Sequence, residues 1–141
     1  MARVVKVVIG IFGLLAFLSI NGCVGRPLQI SSVNKILTNG ESLKNGKKVP
    51  TDKFGLQDEI IFYVYVKWDD PLQSYGKHNV VWNWYSNGKL ISNGKKDVNF
   101  DKTPKELWTH RSASALGSGH FRVETLVDGK EVGATEFDIK E

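Results

Sequence analysis

Two dipeptides, Asn87-Gly88 and Asp128-Gly129, each stand between runs rich in apolar and β-branched residues, and they restrict this chain more than any other feature. Two-residue turns that match the twist of paired strands need positive φ at their centre, which Asn, Asp and Gly tolerate best. Before the first turn, residues 78–85 set Val80, Trp82 and Trp84 against Asn79, Val81 and Asn83. Before the second, residues 120–127 set Phe121, Val123, Thr125 and Val127 against Arg122 and Glu124. A period of two belongs to a strand, so both turns predict antiparallel hairpins.

The same pattern recurs along the chain. Residues 58–68 place Ile60, Phe62, Val64 and Val66 on one face and Ile61, Tyr63 and Tyr65 on the other. A run at 29–37 ends at Asn39-Gly40, and a polar stretch at 41–53 holds a turn at Asn45-Gly46-Lys47-Lys48. A short return strand, 90–92, is expected to stop at Asn93-Gly94. A loop with Pro104 leads to a weak strand at 107–111, and the last run covers 130–139. The sum is about seven strands and no helix beyond residue 22.

The first 22 residues have a different character. Arg3 and Lys6 precede an uncharged run, 7–25, whose middle holds Ile9, Ile11, Phe12, Leu14, Leu15, Phe17 and Leu18. A basic start followed by an apolar stretch describes a secretory signal. The run ends Leu18-Ser19-Ile20-Asn21-Gly22-Cys23, with an aliphatic residue three places before the cysteine and a small one directly before it. This resembles the lipobox of bacterial membrane lipoproteins. The resemblance implies cleavage before Cys23, a diacylated thiol (palmitate-type chains) and an acylated new amino group. A single acyl chain holds a membrane only marginally, so several chains suit a lasting anchor. By the same resemblance, Val24 implies sorting to the outer membrane of a diderm cell, facing periplasm or exterior. Two alternatives stay open. A membrane-spanning helix needs about 20 apolar residues, and the uncharged run has 19; a plain secretory signal with a free thiol is the other.

Cleavage would change the arithmetic. It leaves 119 residues, and losing Arg3 and Lys6 leaves 17 basic residues against 15 acids. The formal charge falls from +4 to +2, which removes the electrostatic basis for a nucleic-acid partner. Cys23 is the only cysteine, so once lipidated it leaves no thiol for a disulfide, a redox motif or a zinc site.

The body beyond the tether at 23–28 therefore depends on burial alone. At 29–141, an all-β chain with turn signals at this spacing fits an immunoglobulin-like or fibronectin-III-like antiparallel β-sandwich. A small closed barrel is the alternative. The pattern Trp82-x-Trp84-Tyr85-x-x-Gly88, then Gly117-x-Gly119-x-x-Arg122-Val123-Glu124, then Asp128-Gly129, resembles small bacterial periplasmic Ig-like domains. That resemblance implies architecture and no chemistry.

Candidate sites are few. His78, His110 and His120 lack any HxH or HxxxH spacing, so no metal is expected. Ser112 and Ser114 are not in a Gly-x-Ser-x-Gly elbow, and Gly117-Ser118-Gly119 lacks the helix that a phosphate loop requires. The neighbouring acids Asp58-Glu59 on a strand point to opposite faces, and Asp69-Asp70 before Pro71 reads as the start of a loop. No enzyme and no cofactor are expected. The aromatic surplus carries more information. Tyr63 and Tyr65 belong to a face that a two-layer sandwich leaves wet unless residues 41–53 or the first strand cover it. Tyr85 is expected outside if Trp82 and Trp84 point in, and Tyr75 lies in an end loop at 69–77. These four tyrosines are the expected partner-binding residues. The expected role is a membrane-anchored, non-catalytic recognition or assembly module that contacts another envelope protein. The alternative is carbohydrate or peptidoglycan binding through exposed Tyr and Trp.

Overall fold

The computed structural model describes residues 28–69 and 76–141. The signal, Cys23, most of the tether and Tyr75 lie outside the described residues. Eight strands form two sheets: β1 (Ile30–Asn39), β2 (Lys53–Gly55), β3 (Glu59–Trp68), β4 (Gly76–Ser86), β5 (Lys89–Phe100), β6 (Lys105–Ser112), β7 (Gly119–Val127) and β8 (Lys130–Lys140). The smaller sheet has the order β1-β3-β6 and the larger β2-β8-β7-β4-β5. All pairs are antiparallel except β2 with β8, which run parallel.

The alternation seen in the sequence sorts the side chains. Ile60, Phe62, Val64 and Val66 of β3 meet Val80, Trp84, Val123, Phe121 and Phe137 of the larger sheet in one buried core. Trp84 and Phe137 meet edge to face at 6.1 Å, and Phe121 stacks on Phe137 at 5.5 Å. Both sharp turns have the expected backbone: φ is 49° and 79° at Asn87-Gly88, and 50° and 83° at Asp128-Gly129. Gly133 of β8 faces β3 so closely that a Cβ there would lie 3.1 Å from a Val64 methyl. The absence of a side chain at Gly133 lets the two sheets approach closely there.

The about seven strands expected are eight among the described residues, because residues 53–55 form β2. Two expectations need correction. Two short helices are present among the described residues, α1 (Gly40–Lys44) and α2 (Ala113–Leu116). Asn39 starts α1, its side chain accepting a hydrogen bond from the Ser42 backbone N–H at 2.9 Å, which satisfies one open donor of the first turn. Asn93-Gly94 does not end the return strand, and β5 continues to Phe100. Asn93 lies opposite Asn83 and Gly94 opposite Trp82, so continued pairing with β4 overrides the local turn signal. The face bearing Ile61 and Tyr63, wet or covered on the sequence alone, is the covered one, which denies Tyr63 the exposure that a partner-binding role needs, as described next.

Candidate functional site

After α1, the chain crosses from the smaller sheet to the larger through residues 45–52. This strap lies over the outer face of β3 and along β1. The Thr51 N–H donates to the Leu37 carbonyl at 2.9 Å, Thr38 Oγ1 donates to the Val49 carbonyl at 2.6 Å, and the Asp138 N–H donates to the Asp52 carbonyl at 2.9 Å. Lys48 sits over the Tyr63 ring, 3.9 Å from its centroid, and donates to Tyr65 Oη and, at 2.8 Å, to Glu106 of β6.

Tyr63 is therefore only 8% exposed and Tyr65 half-buried, with their rings stacked at 6.3 Å under the lysine. Although burial works against its charge, the bonds to Glu106 and Tyr65 push the Lys48 ammonium up to about 12. Burial would raise the Glu106 carboxyl, yet the Lys48 and Tyr65 bonds hold it below its ordinary value. Burial is also the main reason the Tyr65 hydroxyl is raised.

Tyr85 occupies the opposite side of the molecule, on the outer face of the larger sheet. Its hydroxyl donates to Glu124 Oε1 at 2.7 Å, and Asn83 donates to the same oxygen at 3.0 Å. Arg122 bonds the other Glu124 oxygen at 2.6 Å and also reaches Glu131. Burial opposes the charge of Glu124, but the three donors keep its carboxyl below the usual value, and the bond to Glu124 raises the Tyr85 hydroxyl. The network satisfies a carboxylate that is only 9% exposed. Of the tyrosines named from sequence, Tyr63 and Tyr65 thus lie on one face and Tyr85 on the opposite one, while Tyr75 lies outside the described residues.

Each histidine meets a carboxylate on a separate part of the fold. His78 pairs with Asp128 at 2.6 Å, His110 with Glu59, and His120 with Asp138 at 2.8 Å. The bonds to Asp138 and Glu136 raise the exposed His120 above its ordinary value. Among the described residues, no three His, Cys, Asp or Glu side chains converge on a point that suits a metal ion.

The surface that sequence reasoning missed lies along β6. Trp108 is 53% exposed and is the one exposed aromatic side chain among the described residues. It stands beside His110, their rings 5.7 Å apart, and opposite Tyr63 in the pairing of β6 with β3. β6 ends its sheet and β5 ends the other, both on the same side of the sandwich. Between them runs a cleft of about 350 Å³ lined by Glu106, Leu107, Trp108, Thr109 and His110, with Trp82, Lys96 and Val98 across from them. Arg111 closes one end, donating to Ser92 Oγ of β5 at 2.8 and 3.1 Å. The β5–β6 connection closes the other. The missed signal was available: Leu107, Thr109 and Arg111 take one face of a strand, which leaves Trp108 on the other. This arrangement offers shape, an apolar ring and backbone hydrogen-bonding groups, which are means of binding.

No protein-family model matches the chain, and no curated protein matches it either. Solved structures do. An immunoglobulin-like protein from Pseudomonas aeruginosa superposes with a TM-score of 0.52 at 8% identity, over 83% of this chain and 99% of that one. A β-glucosidase from Listeria innocua matches with a TM-score of 0.47 at 12% identity, and the matched part covers 16% of that enzyme. The CARDB domain of a Pyrococcus furiosus protein, solved with two metal ions, matches with a TM-score of 0.42 at 17% identity over 77% of this chain and 91% of that one. The described part of the chain is an all-β immunoglobulin-like sandwich. At these identities the likeness concerns fold alone.

Proposed function

We propose that this chain is a lipid-anchored, non-catalytic recognition module of the bacterial cell envelope, and that it holds another envelope protein along β6. Cys23 takes the acyl chains, residues 23–28 form the tether, and the sandwich is presented outward from the membrane, the outer membrane by the Val24 resemblance. Among the described residues no helix is long and apolar enough to cross a membrane.

The observation that carries the binding role is Trp108, a large apolar ring 53% exposed on a strand that ends its sheet. Exposed tryptophan contributes heavily at protein interfaces, because it brings a large area at little entropic cost. A protein partner is favoured over a glycan by the placement of the rings. A sugar platform asks for several exposed coplanar aromatics, and the stacked pair Tyr63–Tyr65 lies beneath Lys48.

Two experiments test the reading. A photo-crosslinking side chain at position 106, beside an intact Trp108 and in intact cells, should capture a defined envelope protein, whereas one at Asn45 should not. Equal capture at both positions, or none, rejects the surface. Fatty-acid labelling should mark the native chain and fail with Cys23→Ser; equal label in both rejects the anchor.

A further inference from the structure

We infer that the open part of the β6 edge, residues 105–109, accepts an extended acidic segment of its partner by strand addition. The inference rests on the recognition role proposed above and specifies its chemistry.

The pairing of β6 fixes which of its backbone groups are free. The Ala113 N–H donates to the Asp58 carbonyl at 2.9 Å, in the register that places Glu59 opposite Ser112. In an antiparallel ladder, hydrogen-bonded and non-bonded pairs alternate. Residues 105, 107, 109 and 111 of β6 therefore bond to β3, and the N–H and C=O of Glu106, Trp108 and His110 point to the free edge. The His110 carbonyl confirms this direction, since it accepts a hydrogen bond from the Arg111 guanidinium at 2.7 Å. That side chain blocks the edge at His110. Among the described residues the edge stays open at Glu106 and Trp108.

Five consecutive residues of one strand, 106–110, line the cleft, so its wall is the edge of the strand itself. An extended peptide placed there continues the β1-β3-β6 sheet, while its alternate side chains meet Trp82, Leu107 and Val98 on one face and Trp108 on the other.

The charges select the partner. Lys96 lines the opposite lip and, like its neighbour Lys95, makes no ion pair among the described residues. The acidic group in the lining, Glu106, is already held by Lys48 at 2.8 Å, and His110 is held by Glu59. The uncommitted charge at the cleft is thus positive, which suits a carboxylate-bearing strand.

The test uses the full chain in detergent micelles and a capped hexapeptide alternating Glu and Val. Binding should slow amide exchange at Glu106 and Trp108 by about tenfold or more and leave Leu107 and Thr109, already bonded to β3, unchanged. N-methylating alternate peptide residues should weaken binding by about tenfold or more in one phase and little in the other, because only one phase donates to β6. Lys96→Glu should reverse the preference toward a Lys-Val peptide. Three results overturn the inference: no binding at millimolar peptide, protection spread evenly over 106–109, or equal affinity for both N-methylated phases. If Lys96→Thr pairs two copies of the chain without binding peptide, the lysine serves to keep copies apart and the inference also falls. The crosslink at position 106 separates the two levels: its survival beside a failed peptide test leaves the recognition role standing and removes only strand addition.

Discussion

Where β1 faces β8, main chain closes the gap between the sheets; where β6 faces β5, side chains do. On the first side the strap returns across the opening, bonds to Leu37 and Asp138, and ends in β2, which extends the larger sheet beside β8. Lys35 adds a bond to the Ala134 carbonyl, and Phe54 of β2 packs edge to face on Phe137 at 5.6 Å. On the second side, among the described residues, the Arg111 side chain, the β5–β6 connection and the stack of Trp68 on Phe100 join the two sheets, and a cleft remains between β6 and β5. An unpaired strand edge invites association, and proteins commonly cover it. This chain covers one side with its own backbone and leaves the other available. On the proposed reading, the difference separates a face that stabilises from a face that binds.

The largest expected effect comes from breaking the closed side. Phe137→Ala removes a ring that touches Phe54, Trp84 and Phe121 and should cost about 3–5 kcal/mol in denaturant unfolding. A loss near that of a surface substitution would show that the closed side is not where the core is held. Two of the strand glycines, Gly133 of β8 and Gly94 of β5, sharpen the comparison. Gly133→Ala forces a methyl against Val64 and should cost about 1–3 kcal/mol. Gly94→Ala, whose Cβ would stand 4.0 Å from Trp82, should leave stability unchanged or slightly raised.

A smaller effect concerns the strap. Because the Glu106 carboxyl is held below its ordinary value, the stabilisation it shares with Lys48 is present above that value and is lost as pH falls through the lowered one. The Lys48 contribution has the opposite sign: complete below 10.5, it is lost as pH rises through about 12. Both partners are partly exposed and screened, so roughly 1 kcal/mol or less is at stake. Acid titration should alter the Tyr63 and Tyr65 ring resonances before the sandwich unfolds, and simultaneous change would contradict a separately held strap. The smallest change in stability belongs to the open side. Trp108→Ala should stay within about 0.5 kcal/mol of the native chain while abolishing the crosslinked product made from a probe at a neighbouring edge position.

Much of the fold was legible because its signals are local. The alternation in β3, β4 and β7 and the two positive-φ turns depend on neighbours in sequence, and the structure has them in place. The errors share one cause. Asn93-Gly94 reads as a turn until β4 offers eleven residues to pair with. Residues 53–55 read as loop until β8, more than eighty positions later, gives them a partner. Whether Tyr63 is wet or covered stays open in the sequence until Lys48 folds over it. The site was less legible than the fold. The run around Trp108 is a weak strand in isolation, and its place at the end of a sheet depends on what fails to pair beside it.

From sequence alone came the layered all-β body, the inward faces of its strong strands and the positions of its two tight hairpins, since a strand's side-chain alternation and a turn's φ requirement act over a few residues. Tertiary structure alone decided which edges are covered, which tyrosines meet water and where strand backbone is left unpaired among the described residues. Those properties arise from contacts between segments far apart in the chain, and no local pattern records them.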